Sequence, residues 1–189
     1  MYEKYFETIK CEDEEVFNLD FHNKRVANTI GLNLNLQEYI YPMSEELLRC
    51  KVIYTKEGIE DVQYFKYKKR EIKSFKLIFD DEIDYSKKYL DRTSLDNLFN
   101  QKEDADEIII IKNNLLTDTS IANIAIFDGS NWITPKTPLL YGTTRARLLE
   151  NKMIFEKDIT VDMLQGAKKI ALMNAMIDFD ILEDYSSFL

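Results

Sequence analysis

Apolar positions alternate with polar ones at the start of the chain, in "YFETIKCEDEEVFNL", around a polar Glu12–Glu15 turn, and this pattern predicts a β-hairpin. The spacing then changes to a helical one. Asp20 stands where a helix cap belongs, His22, Val26 and Ile30 recur at i, i+4 and i+8, and Gly31 supplies a stop. "SEELLR" predicts a short helix ahead of strands at "CKVIYTK" and "VQYFKYKK", joined across Glu57–Gly58. A third strand, "IKSFKLIF", is expected to complete a small antiparallel unit. "DDEIDYSKKYLDR" is polar and irregular, and Leu95, Leu98 and Phe99 then mark a helix from about Ser94.

The second half is richer in both element types. The unbroken Ile108–Ile111 run predicts a strand buried on both faces. "SIANIAIFDGSNWITP" reads as a hairpin turning at Asp128-Gly129. A helix opening at Gly142 follows, then a strand "KMIFEKDI", a short helix "TVDMLQ" and a strand "KKIALMNAMIDF". The closing "LEDYSSFL" is expected at the surface. The pattern predicts a mixed α/β (α+β) protein of two subdomains, a small one over residues 1–84 and a larger one over 85–189.

Composition narrows the function. A net charge of −9 and a pI near 4.8 argue against a nucleic-acid partner, and the local basic run "KYKKR" reads as a solvated strand face. With neither a signal-peptide apolar region nor a run of transmembrane length, the expected location is cytoplasmic, with no membrane partner. Cys11 and Cys50 lack a CxxC spacing, and a single histidine makes a zinc site implausible, so no metal is expected.

The five glycines are scattered, with no GxGxxG or P-loop pattern, so a phosphate would have to be held by a helix start and side chains. "PLLYGTTRARLLE" is the candidate. Its first N–H groups could bind an anion, although a plain capped helix start has the same sequence.

The order of several short motifs is more specific than any one of them. "FETIK", His22-x-x-Arg25, Lys88-Tyr89-Leu90-Asp91-Arg92, "ADEIIII", the Thr117–Asn123 run, "ITP", Gly142-Thr143-Thr144-Arg145 and "ALMNA" follow one another along nearly the whole chain. In this order they resemble the class IV aminotransferase family and, within it, the 4-amino-4-deoxychorismate lyase branch. The resemblance implies the fold-type IV architecture, pyridoxal 5′-phosphate (PLP) as cofactor, a small-molecule substrate and a homodimer. A PLP enzyme needs a lysine amine to bond the cofactor, an anion at its ring nitrogen and donors for its phosphate.

By the resemblance, Lys88 is the Schiff-base lysine, with its neighbour Lys87 as the rival. Thr8 assists proton transfer, Asp118 holds the ring nitrogen, and Arg25, Thr143 and Thr144 hold the phosphate. Asn174 and Ala175 line the substrate side. The lyase reaction would release 4-aminobenzoate and pyruvate on the folate route; an aminotransferase of a small amino acid and a non-catalytic relative are the alternatives.

Two departures stand out. Asp118 occupies a position where the family has the longer glutamate. The residues before "FETIK" and between 40 and 85 are fewer than the family carries, so a trimmed N-terminal domain is expected.

Overall fold

Two pairs of residues with positive φ set the first hairpins of the two halves. Asp13 and Glu14 (φ 52° and 62°) turn β1 (Tyr5–Glu12) into β2 (Glu15–Val16), and Asn113 and Asn114 (φ 51° and 62°) turn β6 (Glu107–Lys112) into β7 (Leu115–Thr119). Two successive left-handed residues match the natural twist of a hairpin, and asparagine tolerates that backbone well. The structure is a computed structural model describing residues 2–188. The chain divides into two compact units, Met1–Lys69 with Lys87–Asp91, and Arg70–Ser86 with Arg92–Leu189.

In the first unit, β3 (Leu48–Thr55) lies between β1 and β4 (Gly58–Lys66) in an antiparallel sheet of order β2-β1-β3-β4. Helix α1 (Leu19–Ile30) buries His22 and Val26 and ends at Gly31, whose φ of 75° suits a residue without a side chain. Val26 joins Tyr5, Ile9, Cys50, Val52 and Tyr54 in one core. Cys11 and Cys50 are free thiols buried in the same core. The segment 87–91 joins the outer edge of β1 through a Tyr5–Tyr89 bridge, with the Phe6 N–H donating to the Lys88 carbonyl at 3.0 Å.

"SEELLR" is not a helix. The Ser44 and Glu45 carbonyls instead accept from Glu14 and Asp13 of the first hairpin, and Leu48 is drawn into β3 opposite Cys11. Six residues cannot repay helix nucleation when the sheet offers their backbone better partners.

The second unit holds a mixed sheet of nine strands. Its main path runs β10-β9-β8-β7-β6-β5-β13, and β11, paired with β12, branches from β8. Its strands are β5 (Ser74–Phe79), β6, β7, β8 (Asn123–Phe127), β9 (Trp132–Pro135), β10 (Phe155–Lys157), β11 (Ile170–Asn174), β12 (Asp178–Leu182) and β13 (Ser186–Phe188). Helices α2 (Thr93–Phe99), α3 (Thr143–Glu150) and α4 (Val161–Gly166) connect them. As expected, Ile108–Ile111 are all fully buried in β6. Burying each such side chain contributes about 1.5–3 kcal/mol.

Two strand expectations change here. The "IKSFKLIF" strand, β5, does not complete the first antiparallel sheet; it pairs in parallel with β6 and β13 in the second unit. "KKIALMNAMIDF" is the hairpin β11–β12 rather than one strand. "LEDYSSFL" is mostly exposed, as expected, and also contributes β13, parallel to β5, while its last residue lies outside those described. Parallel partners come from distant sequence, so local alternation cannot reveal them.

Candidate active site

In the first unit the expected site residues sit on and around β1. Glu7 and Thr8 are neighbours on the strand, so their side chains leave opposite faces. Glu7 points to α1 and is fully buried. There it meets His22 Nδ1 at 2.5 Å and takes both arms of Arg25, Nε at 2.9 Å and Nη2. Burial alone would raise the Glu7 carboxyl; Arg25 and His22 outweigh it and bring it down to about 2. Burial pushes the His22 imidazole below its ordinary range, with Glu7 opposing it.

On the opposite face, the Lys88 ammonium lies 4.7 Å from the centre of the Phe6 ring, two residues before Thr8 on the same side of β1. The Lys87 ammonium instead lies 5.4 Å from the Tyr5 ring, on the face shared with Glu7. Alternation along β1 thus separates the two lysines, and it is Lys88 that shares a face with Thr8.

In the second unit Asp118 is a strand residue of β7. The turn before it is the Asn113-Asn114 pair, a signal present in the sequence. The Asp118 carboxylate is buried, with Oδ1 accepting from Asn123 Nδ2 at 2.7 Å and Oδ2 from the Leu140 N–H at 2.8 Å. Desolvation raises it to about 6, against the pull of these donors and of the Arg145 charge. An aspartate held so dry is stabilised in its charged form by a cation brought against it.

The helix α3 starts at Gly142, which is extended (φ −69°, ψ 145°) and offers no side-chain cap. Thr143 and Thr144 behind it are buried. A Cβ at residue 142 would fall 1.9 Å from Asn123 Oδ1, so a side chain there would have to displace the Asn123 amide. Arg145 is buried as well. Its Nη2 reaches the Pro135 carbonyl at 2.9 Å and Glu156 at 2.7 Å, while Nε has no hydrogen-bond partner among the described residues. Asn174 closes the β11–β12 turn: its Oδ1 accepts from the Met176 and Ile177 N–H groups, and its Nδ2 donates to the Ile121 carbonyl at 3.3 Å. Ala175 follows, half-buried.

These residues fit a PLP group in chemical terms. An uncapped helix start with buried threonines suits a phosphate, and a desolvated carboxylate suits a protonated ring nitrogen. Motif reading passed over Glu7 and gave Asn123 no role; the signals were the Glu beside Thr8 in "FETIK" and the Asn five places after Asp118. No group of three or more potential metal ligands occurs among the described residues.

The fold is that of the fold-type IV PLP enzymes. The family model for amino-transferase class IV matches residues 89–179. A crystal structure described as a putative 4-amino-4-deoxychorismate lyase from Haemophilus somnus 129PT is 37% identical, with a TM-score of 0.85, covering 92% of this chain and 96% of that one. An uncharacterized Haemophilus influenzae protein is 35% identical over 182 residues, 90% of this chain and 96% of its own length. A hypothetical aminotransferase from Mycobacterium tuberculosis in its PLP-bound form shares the fold, with a TM-score of 0.78 and 15% identity over 97% of this chain and 81% of that one. The chain belongs to the class IV aminotransferase family.

Proposed function

We propose that the protein is a PLP-dependent lyase that converts 4-amino-4-deoxychorismate to 4-aminobenzoate and pyruvate. The observation that carries this reading is the 37% identity, over nearly the full length of both chains, to the structure described as such a lyase. Thr8 on the Lys88 face of β1 supports it, since the lyase branch carries a threonine there.

When bound, PLP supplies an electron sink for breaking bonds at the amine-bearing carbon of the substrate. Lys88 holds the cofactor and then acts as the base that takes the proton from that carbon. The Thr8 hydroxyl assists by passing a proton toward the departing three-carbon unit. The Asp118 carboxylate keeps the ring nitrogen protonated. The N–H groups of Thr143 and Thr144 would hold the phosphate, and Arg25, whose orientation Glu7 fixes, would add a charged donor. Asn174 and Ala175 present the β11–β12 turn to the substrate.

The same reading makes the enzyme a cytoplasmic homodimer on the folate route. No helix among the described residues is long and apolar enough to cross a membrane.

Purified protein incubated with PLP is expected to show the absorbance of lysine-bound cofactor, lost on borohydride reduction, and to release 4-aminobenzoate from 4-amino-4-deoxychorismate. Amino transfer to a keto acid without 4-aminobenzoate would instead make the protein an aminotransferase. Absence of the band, with Lys88→Ala spectrally silent, would make it a non-catalytic relative.

A further inference from the structure

We propose that Asn123 is a positioning residue that ties the acid Asp118 to the start of helix α3, so that one side-chain amide sets both the charge state of Asp118 and its spacing from Gly142. The proposal rests on the assignment of Asp118 and Thr143-Thr144 to the cofactor.

Asn123 opens β8, facing Asp118 across the β7–β8 ladder. The loop between them is held by Thr119, whose Oγ1 accepts from the Ala122 N–H at 3.0 Å and the Ile121 N–H at 3.3 Å. From this rigid base the Asn123 amide reaches three places. Its Nδ2 donates to Asp118 Oδ1 at 2.7 Å and to the Leu140 carbonyl at 2.8 Å. Its Oδ1 fills the space that a side chain at residue 142 would need. Leu140 completes the circuit by donating its own N–H to Asp118 Oδ2 at 2.8 Å.

The segment 140–142 is therefore registered against Asp118 through one side chain, and Gly142 then starts α3 with its carbonyl accepting from Ala146. A cofactor held by its ring nitrogen at one end and its phosphate at the other needs that spacing fixed before it binds. The amide also supplies one of the donors that oppose the desolvation of Asp118, so its loss leaves the carboxylate harder to ionise.

The test uses the apoprotein and PLP itself as probe, with Asn123→Ala, Gly142→Ala and the double variant. Two quantities are read: the titration of the Asp118 carboxyl by ¹³C NMR, and the Kd for PLP by fluorescence at pH 6 and pH 8. Asn123→Ala is expected to raise the Asp118 titration midpoint and to weaken PLP binding about tenfold at pH 6, the scale of one lost hydrogen bond to a charged group. The loss is smaller at pH 8, where Asp118 ionises regardless.

Gly142→Ala is expected to act in the same direction by pushing the Asn123 carbonyl aside, since its backbone conformation already accepts alanine. In the double variant the alanine at 142 adds little further, because the oxygen it would strike is gone. Unchanged titration and Kd in both single variants, or simple additivity in the double, would overturn the proposal. Should Asn123→Ala fail to fold, Gly142→Ala and Asn123→Ser carry the same comparison. If the wild-type apoprotein binds no PLP, the cofactor assignment fails, and the Asp118 titration alone still decides the role of Asn123.

Discussion

Arg25 closes its guanidinium fork on the buried carboxylate of Glu7, and the imidazole of His22 completes the same cluster. The arginine proposed for the phosphate is thereby held in one orientation by Glu7. Lysine could not replace it, because a single ammonium cannot grip one carboxylate bidentately and still present donors elsewhere.

Removing one partner of this cluster leaves charge stranded in a dry core. Glu7→Ala is expected to destabilise the protein by about 3–5 kcal/mol, read by denaturant unfolding. Glu7→Gln keeps the shape and one acceptor, and should cost less. Equal stability of wild type and Glu7→Ala would show that the cluster is not held in solution.

The two buried carboxylates give opposite pH dependences. Glu7 lies below its ordinary value of 4.5, at about 2, so its contribution is complete above pH 4.5 and is lost as the pH falls toward 2. Asp118 is raised from 3.8 to about 6, so the folded protein binds the extra proton between those values, and stability falls as the pH rises through that window. Unfolding measured from pH 2 to 8 should show both slopes. Glu7→Gln should flatten the lower one and Asp118→Asn the upper one.

Asp118→Asn also removes the anion proposed for the ring nitrogen. PLP affinity should fall at neutral pH and lose its dependence on pH between 4 and 7, as measured by fluorescence titration of the apoprotein. An unchanged Kd would remove Asp118 from the cofactor site.

Lys88 and Lys87 are separated by the alternation of β1. Lys88→Ala should abolish both the absorbance of lysine-bound cofactor and its fixation by borohydride. Lys87→Ala should keep both. A reversed outcome would move the assignment by one residue.

The β6 strand is the packing centre of the second unit, and Ile109 lies fully buried in its core. Ile109→Ala should cost about 2–5 kcal/mol by thermal or denaturant unfolding, through lost apolar burial and the cavity left behind.

Local physics was legible in the chain from the start. The alternation of β1, the helical spacing of His22 and Val26 with its glycine stop, the unbroken isoleucines of β6 and the Asp128-Gly129 turn each act over a few residues. Their conformations depend on side-chain periodicity and backbone freedom, which sequence carries directly. The family motifs could be read in the same way, because their order survives whatever the chain does between them.

Tertiary structure alone decided the rest. That β5 pairs in parallel with β6 and the chain's end, rather than with its neighbour β4, depends on partners far away in sequence. That Asp118 is buried, Glu7 clamps Arg25, and Asn123 occupies the space beside Gly142 depends on which faces those strands turn inward. A polar residue's sequence neighbours do not report its desolvation. That is set by the atoms folding brings around it, and it is what separates a solvated aspartate from one that would draw a cation to itself.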